Sequence, residues 1–534
     1  MRTASNQSIP PYTAASGLAG CLDRLSEFFE RRSLLTVIVF SICYWAVSCG
    51  IAQTKLLWYD ELWSYYPATL PSWKDTWNFY ASGADAHTPL TSLAIRASIA
   101  LFGASHVAVR LPDIFFFWLM CICIYLFVSY RRSRSFALAA MIFPVIAAFY
   151  YYATEARDYG ILIGCAAAAL VCWQRASALN GRRSIWFLLL WLCTAATVCV
   201  HYFGVLFLIA LFAGEVAKAI SRKRIDWPVI GALILGAAPL LAFVPMALAM
   251  KANYGAHPWI HTSLSDIENT YRSGLDLAMF PLLAAIVLWG IAILFRRQMN
   301  EERRPIHLPH HETVAATTLA LLPLCIVPLS FVIGSFLPRY ILYTMVGVTI
   351  SLALLAYRST RADRLMAACF IVVFFGWYVV KSASLIRHNE ATNDASLFHA
   401  PHPFEDTRWM PLIERSDLPV AVTPAVFYLQ FQHYALPTVK SRLIYLTNSE
   451  DAIRYSGTDV AEQNFRFLRG IVPVQIEAYD QFVPQHSHFL LCAETTNINW
   501  LLEKLLHERV PLKLIAEEGS YFLFDVETGN SGTR

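Results

Sequence analysis

The stretch LLWYDELWSYY, residues 56–66, sets two adjacent carboxylates, Asp60 and Glu61, among five aromatic side chains at the end of a long uncharged run. A carboxylate at such a rim is partly desolvated, which raises its pKa and suits it to taking a proton from a hydroxyl. Four further stretches place polar side chains of reactive types between apolar runs: Asp85 and His87 in DAHTPL, Glu155, Arg157 and Asp158 in YYYATEARDYG, His201 and Tyr202 in HYFG, and Arg339 and Tyr340 in PRYILY. A guanidinium fork suits a phosphate. Imidazole can contact an anion or ligate a divalent cation. Each residue also has an ordinary reading. Asp60 is then a helix-end acid in water, Glu61 its solvated neighbour and His87 a solvated loop histidine. Asp158 is an N-cap, Glu155 a structural partner of Arg157, His201 and Tyr202 an interfacial pair, and Arg339 a snorkelling anchor.

The elements that must position these residues follow from composition. The 534-residue chain is 57% hydrophobic and only 15% charged, against about 25% charged in soluble domains. That is the composition of a polytopic membrane protein. About eleven spans are expected, at roughly 34–53, 114–130, 136–152, 159–176, 185–201, 203–219, 228–250, 277–295, 314–337, 340–357 and 365–380. The net charge of +4 is small and no basic tract occurs, so nucleic acid is excluded as a partner. The cysteines lie mostly inside apolar runs, which implies no disulfide framework. Residues 1–33 read as a flexible cytoplasmic tail without a signal-peptide pattern.

Basic clusters fall in every second connection: Arg31–Arg32, Arg131–Arg132–Arg134, Arg182–Arg183, Arg222–Lys223–Arg224, Arg296–Arg297 with Arg303–Arg304, and Arg358–Arg361–Arg364. The positive-inside rule makes those connections cytoplasmic. All the reactive side chains then sit in the opposite, outward connections, and charges near membrane depth face polar cavities. One outward-facing site is the economical expectation. The transmembrane domain covers 34–381, with the first outer loop at 54–113. In that loop Leu70, Trp73, Trp77 and Tyr80 recur at helical spacing and predict an interfacial helix with an aromatic face. From 382 to 534 the composition is that of a soluble α/β or α+β domain. Strands are expected at 418–430, 442–446, 488–493 and 512–525, and a helix at 497–507.

The order YDELW, DAHTPL, LFGASHVAVRLP, YYATEARDYG, HYFG, PRYILY over residues 34–357 resembles the GT-C glycosyltransferases. More narrowly, it resembles bacterial family 39-type members related to protein O-mannosyltransferases and the aminoarabinose transferase of lipid A. The chain departs from relatives at His87–Thr88–Pro89–Leu90, where a double proline is common. Ala86 stands where the aminoarabinose transferase has an acidic residue. The resemblance implies inverting transfer of a sugar from a polyprenyl-phosphate carrier, of undecaprenyl type, to an acceptor hydroxyl or phosphate on a lipid, glycan or protein. It implies a multi-pass protein of the bacterial inner (plasma) membrane, with site and C-terminal domain extracytoplasmic.

On this resemblance Asp60 is the general base, with Glu61 assisting. His87, Arg157, His201, Tyr202, Arg339 and Tyr340 bind the donor phosphate or sugar, and Asp85, Glu155 and Asp158 support them. The residue types specify no cofactor with certainty. A divalent cation at Glu61 and His87 is the one addition the residue types allow. Two competing functions are a transporter or flippase of a lipid-linked saccharide, which would need polar residues through mid-membrane, and an inactive membrane scaffold.

Overall fold

A computed structural model describes residues 14–85, 87–130, 132–178, 183–257, 262–295, 309–333, 336–397, 399, 401, 403–404, 407–497 and 499–528. The basic residues Arg131, Arg182, Arg296, Arg297, Arg303 and Arg304 lie outside these. Among the described residues, eight helices are long and apolar enough to cross a membrane: Ser33–Thr54, His106–Ser129, Tyr159–Ala176, Arg183–Val200, Tyr202–Arg222, Trp227–Tyr254, Ser265–Leu294 and Arg364–Thr392. The expected spans 136–152 and 314–337 are broken. Arg134–Ile146 meets the 3-10 turn Ala148–Thr154 at 76°, and His310–Leu321 meets Pro323–Phe331 at 41°. At the second break, Pro323 opens the following helix, where its missing N–H costs nothing. The expected span 340–357 is the shorter apolar helix Thr344–Ser359.

Two expectations at the edges of the bundle are corrected. From Ala14 onward the tail is not flexible chain but the helix Ala14–Arg31, which packs against the last span. Leu22 is buried there beside Leu365 and Cys369. The last span runs on to Thr392, past the expected domain start at 382. The described parts of the basic connections do gather at one end of the bundle. Glu30 accepts from Ser133 Oγ (2.7 Å) and from the backbone of Arg134 and Ser135. Arg132 pairs with buried Glu312 at 3.0 Å.

At the other end, the first loop is more structured than one interfacial helix. It holds Tyr59–Ala68, Trp73–Ala81 and the apolar Leu90–Phe102. The expected aromatic face holds in part: Trp73 and Trp77 are exposed, but Tyr80 is buried and Leu70 precedes the helix. Ser72 and Asp75 form a capping box that starts that helix.

The C-terminal domain is a six-stranded mixed sheet of order β3-β2-β1-β4-β6-β5. The strands are β1 Val420–Thr423, β2 Leu443–Thr447, β3 Gln475–Ala478, β4 His488–Glu494, β5 Leu512–Glu518 and β6 Tyr521–Glu527. β1 to β4 are parallel and β6 joins antiparallel, as does β5. The expected strand 418–430 is half right: it ends at Thr423, and Ala425–Tyr434 is a helix. The expected stretch 512–525 is the β5–β6 hairpin, turned at Gly519, which has positive φ. One sheet face shares its core with the first loop: Leu57, Leu62 and Trp63 cluster with Tyr428, Phe431 and Leu490. The other face has a core of its own around Leu491, Phe482 and Leu505.

Candidate active site

Helix Tyr59–Ala68 begins immediately after an extended turn that follows the first span, so Asp60 and Glu61 lie in its first turn. Neighbours on a helix diverge by about 100°, and the two acids part company accordingly. Glu61 points inward and is fully buried. Its oxygens take a two-pronged grip from Arg110, Nε at 2.6 Å and Nη2 at 2.7 Å. They also accept from Ala156 N–H (2.8 Å) and Trp58 N–H (3.3 Å). Arg110 spends its remaining donors on the carbonyls of Ala52, Lys55 and Leu56. Although burial works against it, Arg110 and Lys55 hold Glu61 below the usual carboxylate range. This corrects the expectation of Glu61 as a catalytic group or cation ligand: no lone pair faces the site, and the residue is a clamp.

Asp60 points the other way and keeps partial exposure. Its Oδ2 lies 3.1 Å from Arg339 Nη1, itself only partly buried. Arg339 sits on the 3-10 turn Pro338–Ile341, with Tyr340 beside it packing on the His201 ring (5.0 Å between centroids). Arg157 Nη1 donates to the Asp60 carbonyl at 3.0 Å, and its Nη2 reaches the His87 ring at 2.8 Å. Asp85 flanks both, 2.7 Å from His87 Nδ1 and 3.6 Å from Arg157. Burial opposes the charge on Arg157, but Asp85 and Asp60 raise its pKa well above the ordinary guanidinium value. Tyr202 donates from its hydroxyl to the His87 carbonyl at 3.5 Å. Thus every segment named from the sequence reaches one place.

Asp158 holds the N-cap position of Tyr159–Ala176, yet its side chain makes no cap bond there. That job belongs to Asp113, which accepts from Ile161 N–H at 3.3 Å. A Cβ on Gly160 would lie 2.7 Å from the Asp113 carboxylate, so only glycine lets the two helices meet there. The Asp158 carboxylate instead faces His87 Nε2 (3.5 Å) and His201 Nε2 (3.9 Å). Neither Asp158 oxygen, nor His201 Nε2, nor the Nε of Arg157 or Arg339, makes a hydrogen bond. Burial pushes Asp158 up and His201 well down from their ordinary values.

Glu155 pairs not with Arg157 but with Lys55, at 3.4 Å. Burial raises Glu155 and lowers Lys55, each offset by the other's charge.

A cation site would differ from the expected one. Among the described residues, His87, Asp158 and His201 are the three potential ligands that converge, their ligand atoms all within 4.8 Å of one another. They do not fit a divalent ion. His201 Nδ1 accepts from Phe203 N–H (3.1 Å), so the neutral ring carries its proton on Nε2, the atom that would have to ligate. The Arg157 guanidinium, 2.8 Å from His87, adds repulsion.

The sequence reading missed Arg110, Asp113 and Lys55. The first two carried a usable signal, an ion in an otherwise apolar helical run.

A bundle of apolar spans with Asp60, Asp85, Asp158, Arg157 and Arg339 converging at a single end defines a polar site at one face of a polytopic membrane protein. Residues 86–248, which include His87, Arg157, Asp158 and His201, match the family model described as dolichyl-phosphate-mannose-protein mannosyltransferase. No curated protein sequence matches the chain. Among solved structures, ArnT from Cupriavidus metallidurans in the apo state aligns over 94% of this chain and 100% of that one, at 13% identity and a TM-score of 0.49. The same protein bound to undecaprenyl phosphate aligns over 93% and 99%, at 13% identity and a TM-score of 0.48.

Proposed function

We propose that the chain is an inverting glycosyltransferase that moves a sugar from a polyprenyl-phosphate carrier to an acceptor hydroxyl. Asp60 takes the hydroxyl proton, the acceptor oxygen bonds to the anomeric carbon, and the bond from that carbon to the phosphate oxygen breaks. Arg157, Arg339 and His87 receive the charge of the departing phosphate. The observation that carries this reading is the Asp60–Arg339 pair at 3.1 Å beside Arg157. An arriving phosphate competes for Arg339 and releases the Asp60 carboxylate for the acceptor, so donor binding switches on the base. The family match over 86–248 supports a lipid-phosphate sugar as donor. The basic end of the bundle supports an orientation with the site and the C-terminal domain outside the cytoplasm. In a bacterial cell that is the outer face of the inner membrane.

The test is a membrane assay with a panel of radiolabelled polyprenyl-phosphate sugars. At least one donor should give a product of inverted anomeric configuration. No transfer from any donor, with an intact lipid-linked saccharide crossing the bilayer instead, would replace the transferase by a transporter.

A further inference from the structure

We propose that the C-terminal domain positions Asp60, by gripping the segment Leu57–Tyr66 through Gln430, His433, Tyr434 and Asn464. The proposal rests on Asp60 being the base. Leu57 lies in the extended turn between the first span and helix Tyr59–Ala68, where no helical partner exists for its backbone. Both of its polar groups must still be satisfied, because the residue is buried. The C-terminal domain satisfies both. Leu57 N–H donates to the Tyr434 hydroxyl at 2.7 Å, and Gln430 Nε2 donates to the Leu57 carbonyl at 3.1 Å. The same Tyr434 hydroxyl lies 3.1 Å from His106 Nε2, at the start of the span that carries Arg110. Arg110 takes the two preceding carbonyls, Lys55 and Leu56. Three consecutive residues are thus held by a transmembrane arginine on one side and a soluble domain on the other.

The grip continues along the helix. Asn464 Nδ2 donates to the Tyr59 hydroxyl at 3.0 Å, one residue before Asp60. The Tyr66 hydroxyl lies 3.0 Å from His433 Nδ1, in the helix's last turns. Burial lowers His433 to about 4, so this contact stays neutral across the working pH range. Side chains complete the joint: Leu57, Leu62 and Trp63 share a core with Phe427, Phe431 and Phe465. Helix Ala425–Tyr434 is in turn fixed to β1, whose burial on both faces makes it the rigid centre of the sheet. Asp60 therefore takes its position from two bodies at once, whereas Arg157, His87 and Arg339 are held within the bundle.

Those phosphate-facing groups lie outside the gripped segment, which separates two readouts. Displacing a reacting group by about 1 Å costs on the order of 100-fold in rate. Loosening the grip should therefore lower kcat and leave donor KM alone. The experiment uses full-length protein in membranes carrying Tyr434→Phe, Gln430→Ala or both, with His433→Gln as a milder second variant. Turnover is measured against donor concentration, and hydrogen exchange is followed at residues 57–61 and across β4.

The double variant should lose at least about tenfold in kcat with unchanged KM. Its exchange should quicken at 57–61 and stay unchanged in β4. Unchanged kcat despite faster exchange at 57–61 would overturn the proposal, as would unaltered exchange there. Faster exchange in β4 with kcat and KM worsening together would overturn it as well, since that marks a domain merely unfolding. If the wild type transferred sugar from no donor, the enzymatic reading would fall. Protection of Leu57 N–H in the variants would still decide whether the grip exists.

Discussion

The two ends of the helical bundle both bury charges, and one cluster at each end treats them oppositely. At the basic end, Glu215 accepts from Trp173 Nε1 (2.6 Å), Ser177 Oγ (3.0 Å) and Lys218 Nζ (2.6 Å). Lys218 also donates to Ser177 Oγ and reaches Asp226, which Arg183 binds as well. At the site end, Asp158, His201, Arg157 and Arg339 each keep at least one buried polar atom without a hydrogen bond. A buried polar atom left unpaired costs about 1–3 kcal/mol, and more when charged. The saturated cluster staples helix ends. The unsaturated one retains a cost that, on the proposed function, the donor phosphate and the hydroxyls of sugar and acceptor would offset.

Substitutions at the two ends should separate accordingly. Arg339→Ala at the site should lower turnover about 100- to 1,000-fold, the size expected for one group that stabilises transition-state charge. Its thermal midpoint in detergent should match wild type, because Arg339 is partly exposed. Lys218→Met at the far end should do the reverse. Losing one member of a buried ion cluster costs about 3–5 kcal/mol, seen as a lower thermal midpoint, while turnover per folded molecule stays unchanged. If Lys218→Met alone slowed turnover, the division between the ends would fail.

The C-terminal domain offers an intermediate case. Glu462 is buried yet partnered by the neutral donors Tyr445 Oη (3.1 Å) and Trp500 Nε1 (2.8 Å), and burial raises it to about 7. A raised folded-state pKa favours folding where the group is protonated. This contribution is full below about 4.5 and lost as pH climbs through about 7. The domain's unfolding transition in the full-length protein should weaken between pH 5 and 8 by on the order of 3 kcal/mol. Glu462→Gln should flatten that dependence. Chelation should leave turnover unchanged, given how poorly His87, Asp158 and His201 suit an ion. A loss of activity restored by a divalent cation would reverse that assignment.

Much of this was legible in the sequence, and the exceptions share physical causes. Apolar runs located the long spans, and Tyr159–Ala176 matches its expected bounds. The convergence of Asp60, His87, Arg157, His201 and Arg339 followed from their phase relative to the basic connections. The division of labour between Asp60 and Glu61 was not legible, because the partner of Glu61 lies 49 positions away at Arg110. Asp158 holds the N-cap position, while the side-chain bond to that helix start comes from Asp113, on another helix. Leu90–Phe102 escaped notice because its 13 residues are too few to span and carry no strong amphipathic pattern. The C-terminal domain's proposed role left no signal, because its contact is made through backbone groups of Leu57, which any residue type supplies.

Asp60 bears the weight of the whole reading, and one paired measurement on Asp60→Asn probes it directly. Donor binding and sugar transfer are measured on the same membrane-inserted protein. The variant should bind the polyprenyl-phosphate sugar at least as tightly as wild type does, since Arg157, Arg339 and His87 remain and Arg339 loses its competing carboxylate, and transfer at least about 1,000-fold more slowly. Transfer at the wild-type rate by the inserted variant would contradict the assignment of Asp60 as base.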